Sequence, residues 1–311
     1  MSRINKLYFI NNGSLVRVVG EIRKLFELIF KLKGQLRAWN GENSVDKGTQ
    51  ILLSLKYREL LENKQSLPPF DQIQFRNMSQ NGEDGILLYI FSLIGTTNKK
   101  VVEICAGDGI ECNAANLIIN HGWTGLLFDG NSSNIKIANS YYSRCRDTHV
   151  FPPKLVEAWI SVENVNTLIT KNGFVGKIDL LSLDMDGNDY WILNAISSIR
   201  PRVIVLEFND ILGKEKALTI PYDPKFVAKF TKYGPSYSGA SIKAFTKLMK
   251  RKGYRLVGVE RYGFNAFFVL NGIGDKVLPA VKTSACLNHP KNQFELTERL
   301  AEIRDKKWVE V

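Results

Sequence analysis

From residue 79 onward, short apolar runs alternate with segments long enough to form helices. Four continuous runs are rich in Val, Ile, Leu and Phe, and they cover residues 101–104, 125–128, 178–183 and 203–208. A further strand is expected between residues 149 and 159. Apolar strands that alternate with helices are typical of a parallel sheet with helices on both faces. The pattern therefore predicts an α/β fold.

The end of this region has a different pattern. Residues 254–260 and 265–270 are separated only by the four residues RYGF. Such a short connection predicts an antiparallel hairpin that closes the sheet. Before the first strand, Ser79 is expected to cap a helix, with Glu83 close behind it. Five parallel strands and a terminal hairpin make a Rossmann-like sheet.

A glycine-rich loop, EICAGDG at residues 103–109, follows the first predicted strand. Gly107 and Gly109 allow the backbone to turn sharply and to approach a ligand. A dinucleotide-binding fingerprint needs a third glycine, and Cys112 stands at that position. An acidic residue before the glycines fits S-adenosylmethionine instead, because Glu103 can bind its amino group directly or through water.

Asp129 and Gly130 follow the second predicted strand, 26 residues after Glu103. A carboxylate at this place can accept hydrogen bonds from both hydroxyls of a ribose. The alternative is an α/β fold in which these Gly and Asp residues form ordinary turns. Together, the loop and the acid predict the cofactor site of a class I methyltransferase sheet.

Acidic and amide side chains follow the fourth and fifth predicted strands. They are Asp184, Asp186, Asp189, Glu207 and Asn209. Buried carboxylates are costly unless they are paired or used, and ligands bind at the carboxyl edge of a parallel sheet. These side chains are therefore candidate catalytic residues, in particular the three aspartates.

Two kinds of chemistry fit these acids. Mg²⁺ prefers oxygen ligands, and Asp184, Glu207 and Asn209 could hold it so that it lowers the pKa of a substrate hydroxyl. One carboxylate could instead act as a general base without a metal. In the structural alternative, Asp186 and Asp189 cap the following helix. The Asn/Asp-Pro-Pro-aromatic signature of many amino-methylating enzymes is absent, which favours oxygen as the acceptor atom.

The chain carries a net charge of +11. Residues 14–37 alternate apolar and basic positions at helical spacing. Such a helix could pack on the main domain or in a homo-oligomer, lie on an anionic membrane surface, or line a substrate channel. A second basic cluster, within residues 243–255, is either a solvated helix face or a binding patch.

The chain is expected to comprise a helical extension (1–70), a catalytic domain (71–275) and a tail with a helix near 294–304. Four cysteines without a CxxC pair argue against a zinc site and against a disulfide framework. The sequence has neither a secretory signal nor an apolar stretch of transmembrane length. These features predict a cytoplasmic protein, with peripheral membrane association as the alternative.

These motifs, in this order, resemble the FkbM-type methyltransferases over about residues 78–271. The motifs are SQxGED at 79–84, the 103–109 loop, GLLFDGN at 125–131, LDMDGND at 183–189, VLEFN at 205–209 and YSGAS at 237–241. The resemblance implies a class I fold and O-methylation of a sugar, glycan or natural product. It also implies that Gln80 and Glu83 line the cofactor site. Cys105 departs from the family pattern, which usually has Gly there.

Strands four and five also resemble those of metal-dependent catechol-type O-methyltransferases, with Asp184, Glu207 and Asn209 at comparable places. Two other functions remain open. The net charge is compatible with an RNA methyltransferase, although no RNA-binding module interleaves with the basic residues and no specific nucleic acid is expected. The other is a non-catalytic scaffold with a vestigial cofactor site.

Overall fold

A seven-stranded sheet forms the centre of the molecule, in the order β3-β2-β1-β4-β5-β8-β7. The computed structural model describes residues 45–294 and 296–311, so the helix predicted within 14–37 lies outside the described residues. The strands are β1 (Lys100–Ile104), β2 (Thr124–Asp129), β3 (Lys154–Glu157), β4 (Gly176–Leu183), β5 (Ile199–Glu207), β6 (Leu218–Thr219), β7 (Tyr254–Val259), β8 (Asn265–Leu270) and β9 (Val309–Glu310). All the strands predicted from the sequence are present, with small shifts at their ends.

Strands β1 to β5 are parallel, and β8 lies antiparallel between β5 and β7. This arrangement confirms the predicted α/β sheet with a terminal hairpin, and it is the strand order of class I methyltransferases. β1 pairs with β2 on one side and with β4 on the other. From β1 the chain adds strands first toward one side of the sheet and then, from β4 onward, toward the other. An open parallel sheet binds ligands at such a point, at the carboxyl ends of the two central strands, which here are β1 and β4.

Helices cover both faces of the sheet. They are Lys47–Glu62, Glu83–Ile94, Ala115–His121, Ser132–Tyr142, Val165–Lys171, Asp189–Ala195, Ile242–Arg251 and Leu296–Ile303. Successive strand side chains point to opposite faces, so Val102 and Leu181 lie in one core and Val101 and Leu180 in the other. Burial on both faces is the reason that these strands are continuous apolar runs.

The helix predicted near Ser79 begins later than expected. It starts at Glu83, and Gly82 rather than Ser79 precedes it. The Ser79 hydroxyl nevertheless accepts a hydrogen bond at 3.1 Å from the N–H of Asp84, in the first turn of the helix. Ser79 therefore does not stand directly before the helix, but its side chain bonds an N–H of the first turn, because the Ser79–Gly82 turn folds back on the helix start.

Segments at both ends of the described chain pack on the sheet domain. Helix Lys47–Glu62 contacts Glu83–Ile94 through Tyr57 and Tyr89, whose ring centroids lie 4.9 Å apart. At the other end, β9 pairs with β6. Within residues 45–294 and 296–311, no helix is long and apolar enough to cross a bilayer.

The basic cluster of residues 243–255 makes many contacts within the protein. Lys247 donates to Val311 O, Arg251 to the Tyr190 hydroxyl and Lys252 to Ile196 O. Arg255 donates to three backbone carbonyls. Four of the six basic residues therefore cap or brace neighbouring elements, which disfavours the interpretation of this cluster as a binding patch.

Candidate active site

The loop after β1 turns through three left-handed residues. Cys105, Gly107 and Gly109 have φ angles of 62°, 58° and 69°. Residues with a Cβ rarely adopt this region, which explains why glycine is usual at the position of Cys105. A Cβ added to Gly107 would meet nothing within 4 Å, so its backbone faces open space. A ligand can therefore approach the main chain closely at Gly107.

Asp129, at the end of β2, joins this loop to the neighbouring strand. Its Oδ2 accepts a hydrogen bond from Gly107 N at 3.0 Å. Its Oδ1 accepts bonds from Asn131 N at 2.8 Å and Asn134 Nδ2 at 3.0 Å. The structure thus brings the predicted ribose-binding carboxylate, Asp129, beside the predicted cofactor loop, with Gly130 next to it.

Glu103 lies beneath the loop and is 4% exposed. Its Oε1 accepts hydrogen bonds from Asn113 N (3.0 Å) and Ser182 Oγ (2.9 Å), and its Oε2 accepts one from Ala114 N (2.7 Å). Burial raises the pKa of Glu103, and these hydrogen bonds partly oppose the shift. Both oxygens are thus engaged in holding the start of the next helix, and binding to a cofactor amino group stays a prediction.

Glu83 is fully buried and connects two parts of the molecule. Its Oε2 accepts a hydrogen bond from Asn81 N at 2.9 Å, and its Oε1 accepts one from Asn265 Nδ2 at 2.9 Å. Asn265 pairs with Glu207 across β5 and β8. Gln80, by contrast, is exposed. The link through Asn265 was not predicted, because no local pattern joins residues so far apart in the chain.

Three carboxyl groups meet at the carboxyl ends of β4 and β5. Asp184, Asp186 and Glu207 each offer an oxygen, and these oxygens lie within 4.8 Å of one another. Among the described residues, no salt bridge reaches any of the three. We refer to Asp184, Asp186 and Glu207 as the acidic trio.

The environment of the acidic trio favours protonation. Burial raises the pKa of Asp184 to about 7, with the charges of neighbouring carboxylates adding to the shift and a hydrogen bond with Glu207 opposing it. Burial also raises the pKa of Asp186 to about 6, and Asp189 adds to this. The pKa of Glu207 is raised well above its usual value by burial and by Asp184. Near neutral pH the trio therefore holds at least one proton.

Asp189 holds the turn that carries Asp186. Its Oδ1 accepts a hydrogen bond from Met185 N at 2.7 Å, and its Oδ2 accepts one from Gly187 N at 2.9 Å. These bonds enclose Asp186, which has a φ of 51° in the left-handed region. The helix begins at Asp189 itself. Asp189 is thus placed to position Asp186, since its carboxylate is occupied by the preceding turn.

The Asn209 side chain is engaged in a loop. Its Nδ2 donates to Ser236 O and Ser238 O, both at 3.0 Å, and its Oδ1 accepts a bond from Ile211 N at 3.1 Å. Asp184 and Glu207 lie together as the sequence predicted, and Asp186 is the third carboxylate close to them. Coordination of a metal by Asn209 stays a prediction.

A comparison with known protein families matches the middle of the chain. Residues 160–256 match the model of the methyltransferase FkbM domain. This part of the chain is therefore similar to the FkbM-type methyltransferases, and the protein is a methyltransferase. A search of the curated proteins found no significant match.

Several solved structures are distantly similar to this methyltransferase. One is the magnesium protoporphyrin IX methyltransferase ChlM from Synechocystis PCC 6803 with bound SAM, at 12% identity and a TM-score of 0.37, covering 61% of this chain and 78% of that chain. Another is an O-methyltransferase from Bacillus cereus in complex with SAH, at 14% identity and a TM-score of 0.41, covering 76% and 96%. At these TM-scores the fold assignment depends on the strand order described above.

The segment between β5 and helix Ile242–Arg251 lies beside the part of the site that contains the acidic trio. A Cβ on Gly187 would lie 2.6 Å from the Phe226 ring. Asn188 Nδ2 donates to Asp223 O at 2.7 Å, and Trp159 Nε1 donates to Pro224 O, also at 2.7 Å. This segment is therefore tied to the loops after β3 and β4.

A cavity of about 280 Å³ opens beside Glu207. Its wall includes Tyr233, Ser236, Phe264 and Arg299. Arg299, from helix Leu296–Ile303, donates from Nη1 to Asp210 Oδ2 at 3.0 Å, and its Nη2 bonds Oδ1 of the same carboxylate. No local sequence pattern points to Arg299, because its partner Asp210 lies 89 residues earlier in the chain.

Proposed function

We propose that this methyltransferase transfers a methyl group to a hydroxyl oxygen of a sugar, glycan or natural-product intermediate. One observation carries the proposal: Asp184 and Glu207 both have raised pKa values, and Glu207 borders a cavity. A hydroxyl must lose its proton when its oxygen is methylated, and a base with a pKa near 7 is suited to accept it at neutral pH.

The methyl donor is expected to lie over the loop after β1. Gly107, Gly109 and Gly130 would offer backbone contacts, and Asp129 would accept hydrogen bonds from the ribose hydroxyls. The open space at Gly107 and the left-handed turn around it support this placement. Gln80, Glu83 and Glu103 would complete the cofactor site, Glu83 and Glu103 through the loops that their carboxylates hold.

The acceptor hydroxyl would lie in the cavity beside Glu207. The proton leaves the acceptor oxygen for the Asp184–Glu207 pair, the new oxygen–carbon bond forms, and the sulfur–carbon bond breaks to leave S-adenosylhomocysteine. Holding acceptor and donor in line supplies much of the rate enhancement in such a displacement. The segment tied down by Trp159 and Asn188 would exclude water from the methyl donor.

The acidic trio also fits a divalent cation. Three close carboxylates without a basic partner match the oxygen donors that Mg²⁺ prefers, and their raised pKa values reflect uncompensated negative charge. Held by Asp184, Asp186 and Glu207, Mg²⁺ would stabilise the negative charge that develops on the acceptor oxygen.

The first test is a calorimetric titration with S-adenosylmethionine, with and without Mg²⁺. We expect binding, and we expect Gly107→Ala to weaken it at least tenfold, because the added Cβ occupies the ligand's space. Gly122→Ala is a matched control, since Gly122 is also left-handed (φ 66°) with nothing within 4 Å and ends a helix away from the site. Equal loss of affinity in the two variants would contradict the proposed cofactor site.

The second test identifies the acceptor atom. The enzyme, labelled S-adenosylmethionine and panels of hydroxylated sugars, amines and RNA would be incubated with and without Mg²⁺. Methyl ethers among the products support the proposal, whereas N-methylated products or methylated RNA would contradict it. Loss of Mg²⁺-dependent turnover in Glu207→Gln would support a metal at the trio.

A further inference from the structure

We propose that residues 224–233, which we call the basic loop, dock this enzyme on an anionic lipid surface. Two large apolar side chains of the loop are exposed, Val227 at 69% and Phe230 at 70%. Loop tips are usually polar, so two neighbouring exposed apolar side chains point to a surface that buries them.

The charge of the basic loop is one-sided. Between Pro224 and Pro235 the sequence contains three lysines and no acidic residue. Lys225 and Lys229 are exposed beside the two apolar side chains. Lysines that flank inserted apolar residues can reach anionic headgroups while their methylene stems stay near the acyl boundary. A nucleic acid would satisfy the charges and could stack a base on Phe230, but it offers no apolar environment for Val227.

Both ends of the basic loop are held by the rest of the enzyme. At its start, Pro224 O accepts the Trp159 Nε1 hydrogen bond and Phe226 packs against Gly187. At its end, Thr231 Oγ1 donates to Glu302 Oε2 at 3.1 Å, and Ser236 Oγ bonds the same carboxylate. The exposed tip is therefore presented in a fixed direction from a packed base.

The position of the basic loop connects docking to the active site. Tyr233, Gly234 and Pro235 continue from the loop into the wall of the cavity beside Glu207. Docking would bring the mouth of that cavity to the lipid surface, which suits an acceptor anchored there. This last step rests on the proposed function, whereas lipid docking itself does not.

Sedimentation of the full chain with vesicles tests docking. We expect binding to phosphatidylcholine vesicles that contain phosphatidylglycerol and little binding to phosphatidylcholine alone. Val227→Ser with Phe230→Ser should weaken the partition at least tenfold. Lys225→Gln with Lys229→Gln should weaken it roughly tenfold or more, and the effect should shrink at high salt.

The chain offers matched controls at the opposite edge of the sheet. Phe151 is also 70% exposed and precedes β3. Lys171 lies before β4, Lys177 lies at the start of β4, and both are exposed. Phe151→Ser, and Lys171→Gln with Lys177→Gln, should leave vesicle binding unchanged. Titration with S-adenosylmethionine checks that every variant keeps the wild-type site.

Three outcomes would overturn the proposal. The first is a wild-type chain that does not bind anionic vesicles. The second is vesicle binding that survives the loop substitutions, which would assign it to another segment such as residues 14–37. The third is equal loss of binding in the loop variants and in the controls.

Discussion

Strand β4 contains Asp179 near its start and is followed directly by Asp184, and these two aspartates lie in opposite environments. Asp179, near the start of the strand, has no exposed surface. Its carboxylate accepts hydrogen bonds from Thr97 N, Asn98 N and Lys99 N at 2.7–3.0 Å, and Arg202 Nη1 lies 2.9 Å away. Burial raises the pKa of Asp179, but the bonds from Arg202 and the backbone outweigh it and hold the pKa below its usual value.

Asp184 lies five residues later in the chain, just beyond the carboxyl end of the same strand. Its neighbours are carboxylates, and its pKa is raised to about 7 by burial. A carboxylate that is paired on all sides stabilises the fold, whereas one kept among like charges costs stability and is available for chemistry. The comparison separates a structural acid from a candidate catalytic acid by their partners alone.

The largest expected effect of a single substitution is on turnover. Asp184→Asn should lower kcat about 1,000-fold, because the amide cannot accept the acceptor's proton. Affinity for S-adenosylmethionine should change little, since the proposed role of Asp184 is at the acceptor hydroxyl and the proposed ribose contacts belong to Asp129. Activity assays and calorimetry on the same preparation measure both. A variant that retains turnover, or that loses cofactor affinity and activity equally, would break the division of roles.

The same substitution at the structural acid, Asp179→Asn, should lower the stability of the fold and leave turnover unchanged. Asp179→Asn leaves the buried guanidinium of Arg202 without its anion and turns an amide N–H₂ toward backbone donors, so the free energy of unfolding should fall by about 3 kcal/mol. The kcat of the folded variant should equal that of the wild type. Urea unfolding gives the free energy of unfolding, and activity assays corrected for the fraction of folded enzyme give kcat. A large loss of kcat would mean that Asp179 also serves the active site.

The two acids should give opposite pH dependences of stability in chelator-treated protein. Asp184 has a folded-state pKa of about 7, above its unfolded value near 4, so its stabilising contribution is present below about pH 4 and is lost as the pH rises to 7. The decrease should be roughly 1–3 kcal/mol, and Asp184→Asn should flatten it. Asp179 has a lowered pKa, so its contribution is present above about pH 4 and is lost as the pH falls. Urea unfolding between pH 3 and pH 8 would show both trends, and a slope unchanged in Asp184→Asn would assign the effect to other carboxyls.

The smallest expected effect is that of Arg202→Lys, which separates the charge of Arg202 from its hydrogen-bond geometry in the Asp179–Arg202 pair. Arg202 donates to Asp179, to Gly95 O at 2.7 Å and to Ile94 O at 2.8 Å. Arg202→Lys keeps the charge but cannot make this set of bonds, so we expect a loss of about 1 kcal/mol of unfolding free energy. A loss as large as that of Asp179→Asn would show that geometry, rather than charge, dominates the pair.

Sequence patterns found the strands and the turns around the site because these features are local. Apolar runs marked the buried strands, and Gly107 and Gly109 marked a loop that does turn through left-handed conformations. The same patterns missed Asn265 and Arg299, which reach the site from distant parts of the chain. They also did not show that Asp186 lies close to Asp184 and Glu207, because that depends on the turn held by Asp189.

The sequence by itself determined the α/β sheet, its closing hairpin and the acidic edge, because burial on both faces demands continuous apolar strands and leaves polar residues at the strand ends. Only the tertiary structure decided what each acid does. Leu180 pairs with Val203 across β4 and β5, and this register brings Arg202 to Asp179. At the other edge the same register brings Glu207 toward Asp184, so strand pairing gives one aspartate a cation and the other a second carboxylate.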